Sequence, residues 1–479
     1  MVYRYERAVL SKTESGLKQF RMKYYFIKVG WLVWVFINLN SWSSFAQKTK
    51  TSPKNAEQLS ERNILSDSAL LDLAQKQTFA YFWDFAHPVS GLARERSNNA
   101  YGYGHEVVTT GGSGFGIMAI IVATERHWIA RDTAVKHVLK TVNFLLKANS
   151  YHGIFPHWLN GSTGTTIPFS RKDDGADVVE TSYLFEGLLC ARQYFNRDEP
   201  LENELRDRIN WLWTGAEWSW HQRDGGNSFY WHWSPNNGWS MNFEIRGWNE
   251  CLITYVLAAS SPTYPITAAV YRRCWAESNH FLNGRSYYGI TLPLGFDYGG
   301  PLFFSHYSFI GLDPHGLKDE YADYWIQNYN HSLINYKHCV INPNHFKGYG
   351  ENSWGLTASD TYDGYNAHSP TNDFGTITPS AALSSFPYTP EYSMKALKHF
   401  YYDLGDKIWG KYGFTDAFNE TKNWYASSDL AIDEGPIVCM IENYRSGLLW
   451  KLFMSCPEVQ NGLQKLGFES PYFRNAENK

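Results

Sequence analysis

The chain has 479 residues and a formal net charge of −4. It has no Lys/Arg run of the kind nucleic-acid binders need and no basic amphipathic helix suited to a membrane surface, so both partner classes are set aside. Aromatic residues make up 17% of it, with 20 Trp and 33 Tyr, enough either to fill a large core or to line a sugar site, because these rings join a flat apolar face to a polar tip.

At the N-terminus, Lys23 and Lys28 flank the start of an apolar run, Val29 to Leu39, and Ser44-Phe45-Ala46 offers a small-x-small cleavage site. This layout predicts a secretory signal peptide within residues 1–46, with Met22 as a candidate true start, and hence a periplasmic or secreted protein. The run is short for a transmembrane helix, so no stable membrane association is expected after cleavage. Residues 47–63 are polar and read as a flexible linker. One catalytic domain, expected as a monomer, then fills 64–479. Cys190, Cys251, Cys274, Cys339, Cys439 and Cys456 show no CxxC and no zinc spacing. Export permits disulfides, but spacing cannot choose a pairing, and buried free thiols are an equal reading.

Ser66 and Asp67 can cap a helix running to Ala86, with Leu70, Leu73, Ala74, Phe79, Phe82 and Trp83 at helical spacing. A helix follows over Ser113 to Ile129, where Gly114 and Gly116 imply close packing. Thr133 to Lys147 is amphipathic through Val135, Val138, Leu139, Val142 and Leu146. Further helices are predicted over Asp174–Tyr194, Glu202–Trp213, Gly247–Ala259, Ile266–Phe281, Lys318–Tyr336, Pro390–Leu404, Glu434–Phe453 and Glu458–Leu466. Helices separated alternately by short turns and by long loops rich in Trp, Tyr, Gly and Asp predict an all-α fold, a closed (α/α) toroid of helix hairpins. A helical solenoid is the structural rival, but no fixed-period repeat supports it.

Four stretches carry the candidate chemistry. In Arg171 to Glu180, the carboxylates Asp173, Asp177 and Glu180 fall at i, i+4 and i+7; a helix beginning at Asp173 would project all three from one face. Acids in a first turn also suit the helix dipole, but Glu180 lies deeper, among Val178, Val179 and Tyr183, where a raised pKa is expected. The preceding segment, with Phe155, His157 and Trp158, is expected to line the same cleft. Glu217 to Glu250 is turn-rich and contains Trp218, Trp220, Trp231, Trp233, Trp239 and Trp248, which read as stacking platforms for sugars or as a self-packed lid. Glu250 closes it at a helix start, a fit place for a general acid. Asn352 to Asp360, with Trp354, runs on to Tyr365 as a substrate-facing loop. In Asp429 to Pro436, Asp433 either caps a helix or joins the site. No metal is expected: His157, His221, His232 and His306 form no metal-binding pair and read as hydrogen-bonding groups.

Taken together and in order, YFWDFAHPVSGL, TTGGSGFG, DDGADVVETSYLFEGLL, WHWSPNNGW with IRGWNE, ENSWGLTASD, TPSAA and IDEGPIVCMIENYRSGLLW resemble glycoside hydrolase family 144, the glycoamylase-like family active on β-1,2-glucan. The resemblance covers the chain from about residue 64. It implies an (α/α)6 barrel, no cofactor, and essential carboxylates at Asp173, Asp177, Glu180 and Glu250. The last motif departs from the family pattern, since Glu434 stands where the relatives carry Gln, which would change the charge around Asp433.

The expected reaction is hydrolysis of β-1,2-glucan to short, sophorose-type oligosaccharides. Glu250 would protonate the leaving oxygen, and Asp177 or Glu180 would activate water, with Asp173 in support. Inversion, which the resemblance favours, needs acid and base roughly 6.5–9.5 Å apart. Phe155, Trp158, Arg171, Trp218, Trp231, Trp239, Arg246, Trp354, Tyr365 and Asp433 are the expected substrate-binding residues. Alternatives are hydrolysis of another glucan such as an α-1,4-linked one, a polysaccharide lyase, and a non-catalytic glycan-binding protein. A lyase would want an acidic sugar and a Tyr or His base, against which the acid-rich motifs argue.

Overall fold

A computed structural model describes residues 64–473, so the expected signal peptide and linker lie outside the described residues. The helices are α1 (Asp67–Asp84), α2 (Thr110–Glu125), α3 (Arg131–Leu145), α4 (Val178–Tyr194), α5 (Pro200–Gly215) and α6 (Leu252–Ser260). They continue with α7 (Ala268–Val270, extended by a π turn over Tyr271–Ala276), α8 (Tyr324–Ile341), α9 (Pro379–Ser384), α10 (Pro390–Lys398), α11 (Ala431–Ser446), α12 (Leu448–Met454) and α13 (Pro457–Leu466). The fold is mostly helical, and no described helix is long and apolar enough to cross a membrane.

The helices are of two kinds. Residues Thr110 to Thr124 of α2, Val178 to Arg192 of α4 and all of α6 are buried, the condition of a helix without a polar face. By contrast α3, α5 and α13 bury one stripe each, Val135–Val138–Leu139–Val142, Leu205–Ile209–Leu212 and Val459–Leu463–Leu466, and cover the buried helices from outside. Packing runs from α9 to α11, α11 to α2, α2 to α4 and α4 to α6; α6 then meets a short 3-10 turn, Tyr307–Phe309. His306 Nε2 bonds Ser385 Oγ at 3.0 Å, which links that segment back to the end of α9.

Glycine sets the α2–α4 contact. A Cβ on Gly114 would strike the Tyr183 carbonyl, and one on Gly187 the Gly114 carbonyl. The close packing expected from Gly114 is therefore present, backbone to backbone.

Small antiparallel pairings organise the loops on the α2–α4 side. β1 (Val107–Thr109) pairs with β2 (Trp158–Asn160), which pairs with β3 (Thr166–Ile167); β4 (Ala176–Asp177) pairs with β5 (His232–Trp233) in the register Asp177↔His232; β6 (Ala358–Thr361) pairs with β7 (Gly364–Ala367). All six cysteines are free and buried.

Four element expectations need correction. The helix expected over Lys318–Tyr336 runs over Tyr324–Ile341, because Asp323 caps it. The helix expected from Asp174 starts at Val178, because Asp177 caps it and the preceding residues turn through a bridge between Ser170 and Asp173. The helix expected from Gly247 starts at Leu252. The long helix expected over Glu434–Phe453 breaks at Gly447, whose φ of 66° is the left-handed conformation that ends helices. The turns Leu302–Ser305 and Tyr307–Phe309 and the six-residue α9 escaped the sequence reading, because each is too short to show a period.

Candidate active site

Asp177 does two jobs at the N-terminus of α4. Its Oδ1 accepts from the backbone N–H groups of Val179 and Glu180, both at 3.0 Å, which satisfies two otherwise orphaned helix donors. Its Oδ2 lies 3.1 Å from His157 Nδ1 and 3.4 Å from His232 Nε2. His232 reaches it because β4 and β5 place the two residues opposite each other, and His232 Nε2 also lies 3.0 Å from Asp173 Oδ2. Asp173, Asp177 and Glu180 thus converge as sequence predicted, but from a turn, a cap and a helix rather than from one helical face.

The electrostatics follow from that geometry. Burial alone would raise the Asp177 carboxyl, but the hydrogen bonds from His157 and His232 overcome it and hold Asp177 well below the usual carboxylate range. Burial would lower the histidines, but Glu180 and Asp177 push His157 up to about 10, and Asp173 and Asp177 push His232 up to about 9. Both imidazoles are charged at neutral pH.

Glu180 occupies the third position of the helix, where a Glu commonly reaches back to the cap N–H. Here the Asp177 N–H donates to the Phe155 carbonyl at 2.9 Å, and the Glu180 side chain turns toward α2 instead. Its Oε2 accepts from Gly111 N–H at 2.9 Å, in the first turn of α2, and a Cβ on Gly111 would collide with that oxygen. Burial, with Asp177 and Glu95 adding repulsion, raises Glu180 to about 7, although His157 opposes this. Glu250 sits in the turn before α6, its carbonyl accepting from Ser308 Oγ. Its Oε2 is buried without a hydrogen-bond partner, and burial raises its carboxyl to about 7, helped by Glu180 and Asp177. Tyr307 lies within electrostatic reach of Asp433, Glu180 and Glu250.

The other expected residues divide. Trp231, 8% exposed, lies 5.7 Å from the His232 ring, nearly parallel to it. Trp158 packs on Phe169, which stacks on His157 at 4.2 Å. Trp239 is partly exposed beside Trp220 and Tyr230, and Arg171 is exposed. Tyr365 stands opposite Asp360 across β6–β7. Arg246 is exposed and places one guanidinium N–H on Glu244 at 2.9 Å. Four expectations are corrected: Phe155 (1% exposed), Trp158 (3%), Trp218 (0%) and Trp354 (0%) are core residues and have no face for a sugar. Trp218 packs on Phe185 and Trp213, and Trp354 donates its Nε1–H to the Tyr392 carbonyl at 3.3 Å.

Asp433 is buried, accepts from Ser380 Oγ at 3.1 Å, and is raised to about 7 chiefly by burial. Glu434 is raised well above the usual range by burial, then by Asp429, Asp433 and Asp416. These neighbours and its burial favour the protonated form of Glu434. Asp360, which closes the substrate-facing stretch read from Asn352, joins this second group, as does Asp416, which the sequence reading missed because only folding brings it to the others.

Ligand atoms of His157, Asp173 and Asp177 lie within 4.8 Å of one another, close enough to surround a cation. The charged imidazoles already supply positive charge there, and a metal would have to displace the His157 proton.

The glycoamylase family model, described as "Putative glucoamylase", matches residues 242–457. A crystal structure of the same description from Bacteroides uniformis is 62% identical, with TM-score 0.84, over 86% of this chain and 100% of that one. The endo-β-1,2-glucanase of Chitinophaga pinensis, solved with sophorotriose and glucose, is 56% identical with TM-score 0.84 over the same shares. The chain belongs to the glycoamylase family, glycoside hydrolase family 144. A further relative, the exo β-1,2-glucooligosaccharide sophorohydrolase (non-reducing end) of Parabacteroides distasonis, is 45% identical over 84% of this chain; the match spans 58% of that protein's length. Within the family, the turn bearing Glu250 falls inside the matched region, while Asp173, Asp177 and Glu180 precede it.

Proposed function

We propose that this member of family 144 hydrolyses β-1,2-glucan. Supporting this reading are the activities described for the Chitinophaga and Parabacteroides relatives. The observation that carries it is the pair of buried carboxyls, Glu180 and Glu250, each raised to about 7 chiefly by burial. An acid poised near the working pH can hold a proton and also give it up. Glu250, with an oxygen free of partners, donates to the leaving glycosidic oxygen. Glu180, oriented by Gly111, takes the proton of the attacking water. Asp177 is too fully hydrogen-bonded to serve as base; with Asp173 it holds His157 and His232 charged beside the reaction. Water attack opposite the leaving group makes the reaction inverting. The polypeptide is proposed to act after export, and the succession of buried helices with covering partners to close as an (α/α)6 toroid.

The test is incubation of residues 48–479 with linear β-1,2-glucan, with products resolved by thin-layer chromatography. A ladder of oligosaccharides indicates internal cutting as in the Chitinophaga relative; one disaccharide indicates end-wise cutting as in the Parabacteroides relative. Glu250→Gln is expected to lower kcat by about 10²–10⁴-fold without loss of fold. Absence of products from the unaltered protein would refute the reading.

A further inference from the structure

Trp158, expected as a sugar platform, is buried under rings that remain partly open to solvent. It packs on Tyr103 and on Phe169, each with ring centroids 4.8 Å away, and the His157 ring stands perpendicular to it at 5.5 Å. Solvent reaches the reacting groups beside these rings: the His157 side chain is 16% exposed and that of Glu180 10%, whereas Asp177 is closed off. Tyr103 therefore borders the mouth of the site, and the Tyr101 ring, 5.6 Å from it, extends that border outward.

Tyr101 and Tyr103 belong to a short loop, residues 98–104, with an anchored point on either side. Before it, the Ser97 N–H donates to the Asp429 carbonyl at 3.0 Å. After it comes β1, which leads to Gly111, the residue whose N–H orients Glu180. Within the loop the bonds are local: the N–H groups of Ala100 and Gly104 donate to the side chains of Asn98 and Asn99 at 3.2 and 2.9 Å. A Cβ on Gly102 or Gly104 would meet nothing within 4 Å, so the loop stands clear of its surroundings there. Its rings reach across instead. The Arg96 guanidinium carbon lies 4.9 Å from the centre of the Tyr101 ring, and Arg96 holds Asp360 by two hydrogen bonds of 2.9 and 3.0 Å. Tyr101 thus joins the His157 side of the site to the strand pair that bears Asp360 and Tyr365.

The Tyr101 backbone has a φ of 62°, in the left-handed region that a bulky side chain seldom enters. Strain of this kind persists where the surroundings enforce it, and it gathers at sites that grip a ligand. Tyr101 is 46% exposed although the guanidinium backs its ring, so much of a flat apolar surface and a polar tip stand in water at the mouth. Those two features suit a sugar ring.

We propose that Tyr101 is a substrate-binding residue whose ring stacks on a glucosyl unit of the bound chain, with Arg96 behind it and Tyr103 beside it. The inference rests on the glucan-hydrolase reading above. Such stacking holds the chain equally before and during the reaction, so it acts on binding rather than on the chemical step.

Kinetics on linear β-1,2-glucan separate this role from simple cover over Arg96. Tyr101→Ala is expected to raise KM about tenfold through loss of one stacked ring, with kcat held within about threefold. The same rise is expected in the dissociation constant for that glucan, measured by calorimetric titration in a Glu250→Gln background where no chain is cut. Tyr101→Phe keeps the flat ring and is expected to stay within about threefold of the unaltered KM. Tyr101→Leu covers Arg96 with apolar bulk but has no flat face, and is expected to behave as Tyr101→Ala does. A Tyr101→Leu protein with the unaltered KM would overturn the proposal, because cover alone would then suffice; so would an unmoved KM in Tyr101→Ala, or a loss confined to kcat. If Tyr101→Ala does not fold, the contrast between Tyr101→Leu and Tyr101→Phe decides. An unaltered protein that leaves β-1,2-glucan uncut removes the glucan reading and this proposal together, whereas an active one with unmoved variants removes the proposal alone.

Discussion

Asp177 shows how one side chain can be structural and chemical at once. As the cap of α4 it spends one oxygen on Val179 and Glu180; with the other it keeps His157 and His232 charged. Asp177→Asn keeps a capping oxygen but removes the charge. His157 and His232, now at about 10 and about 9, are therefore expected to titrate nearer the ordinary value, readable by NMR, with kcat lowered at least about tenfold. Unmoved histidines would show that Asp173 and Glu180 suffice to hold them charged. At this scale the sequence exposed the acids well, since Glu180 among Val178, Val179 and Tyr183 has no cheap structural excuse. The aromatics were less legible. Trp218 and Trp239 are the same residue type in the same turn-rich stretch, yet one is core and the other partly exposed. Composition cannot assign a ring to one face of a loop; packing does.

The elements divide by how they advertise themselves. Outer helices such as α3 repeat apolar residues at helical spacing and were found to within a few residues. Inner helices such as α2 are buried all round, so their signal is small residues rather than a stripe. The close approach of α2 and α4 makes a direct prediction. Gly114→Ala would force a methyl into the Tyr183 carbonyl, and a loss of about 3 kcal/mol or more is expected in urea unfolding. Gly215→Ala, where a Cβ would meet nothing within 4 Å, is expected to stay within about 0.5 kcal/mol. Equal losses would mean that the two helices can move apart cheaply. The inner 3-10 turns and α9 were not legible, because a single turn carries no period and its conformation is held by contacts with distant segments, such as His306 to Ser385 and the Ile253 N–H to Ser308 Oγ.

For the molecule as a whole, the buried ionisable groups act on stability in two directions: burial lowers His221, His331 and His368 to about 4 and His306 to about 3, so these four favour folding increasingly as pH rises toward the ordinary imidazole value. Glu180, Glu250 and Asp433, raised to about 7 in the folded protein, bind protons that the unfolded chain has released. Their contribution is complete below the ordinary carboxylate value and declines until about pH 7. His157 and His232, raised to about 10 and about 9, stabilise fully below the ordinary imidazole value and lose that effect as pH rises through their folded values. The depressed Asp177 acts oppositely, its contribution being lost only in strong acid. Tm is therefore expected to fall from about pH 7 to about pH 10 in calorimetry, where the raised His157 and His232 titrate, while below about pH 7 the lowered histidines offset the raised carboxyls. Relative to the unaltered protein, Glu250→Gln should gain stability as pH rises to about 7, and a Tm rising from about pH 7 to about pH 10 would contradict the charge states of His157 and His232.

The sequence by itself determined the helical class, the family, the turn-rich aromatic segment and the acids Asp173, Asp177, Glu180 and Glu250, because periodicity, composition and ordered motifs are local properties written along the chain. Only the tertiary structure decided which oxygen of each acid is already spent, which imidazoles are charged, which Trp are core, and that Asp360, Asp416 and Asp433 meet. Those depend on distances between segments far apart in sequence, and on burial, which sets whether a carboxyl keeps its proton.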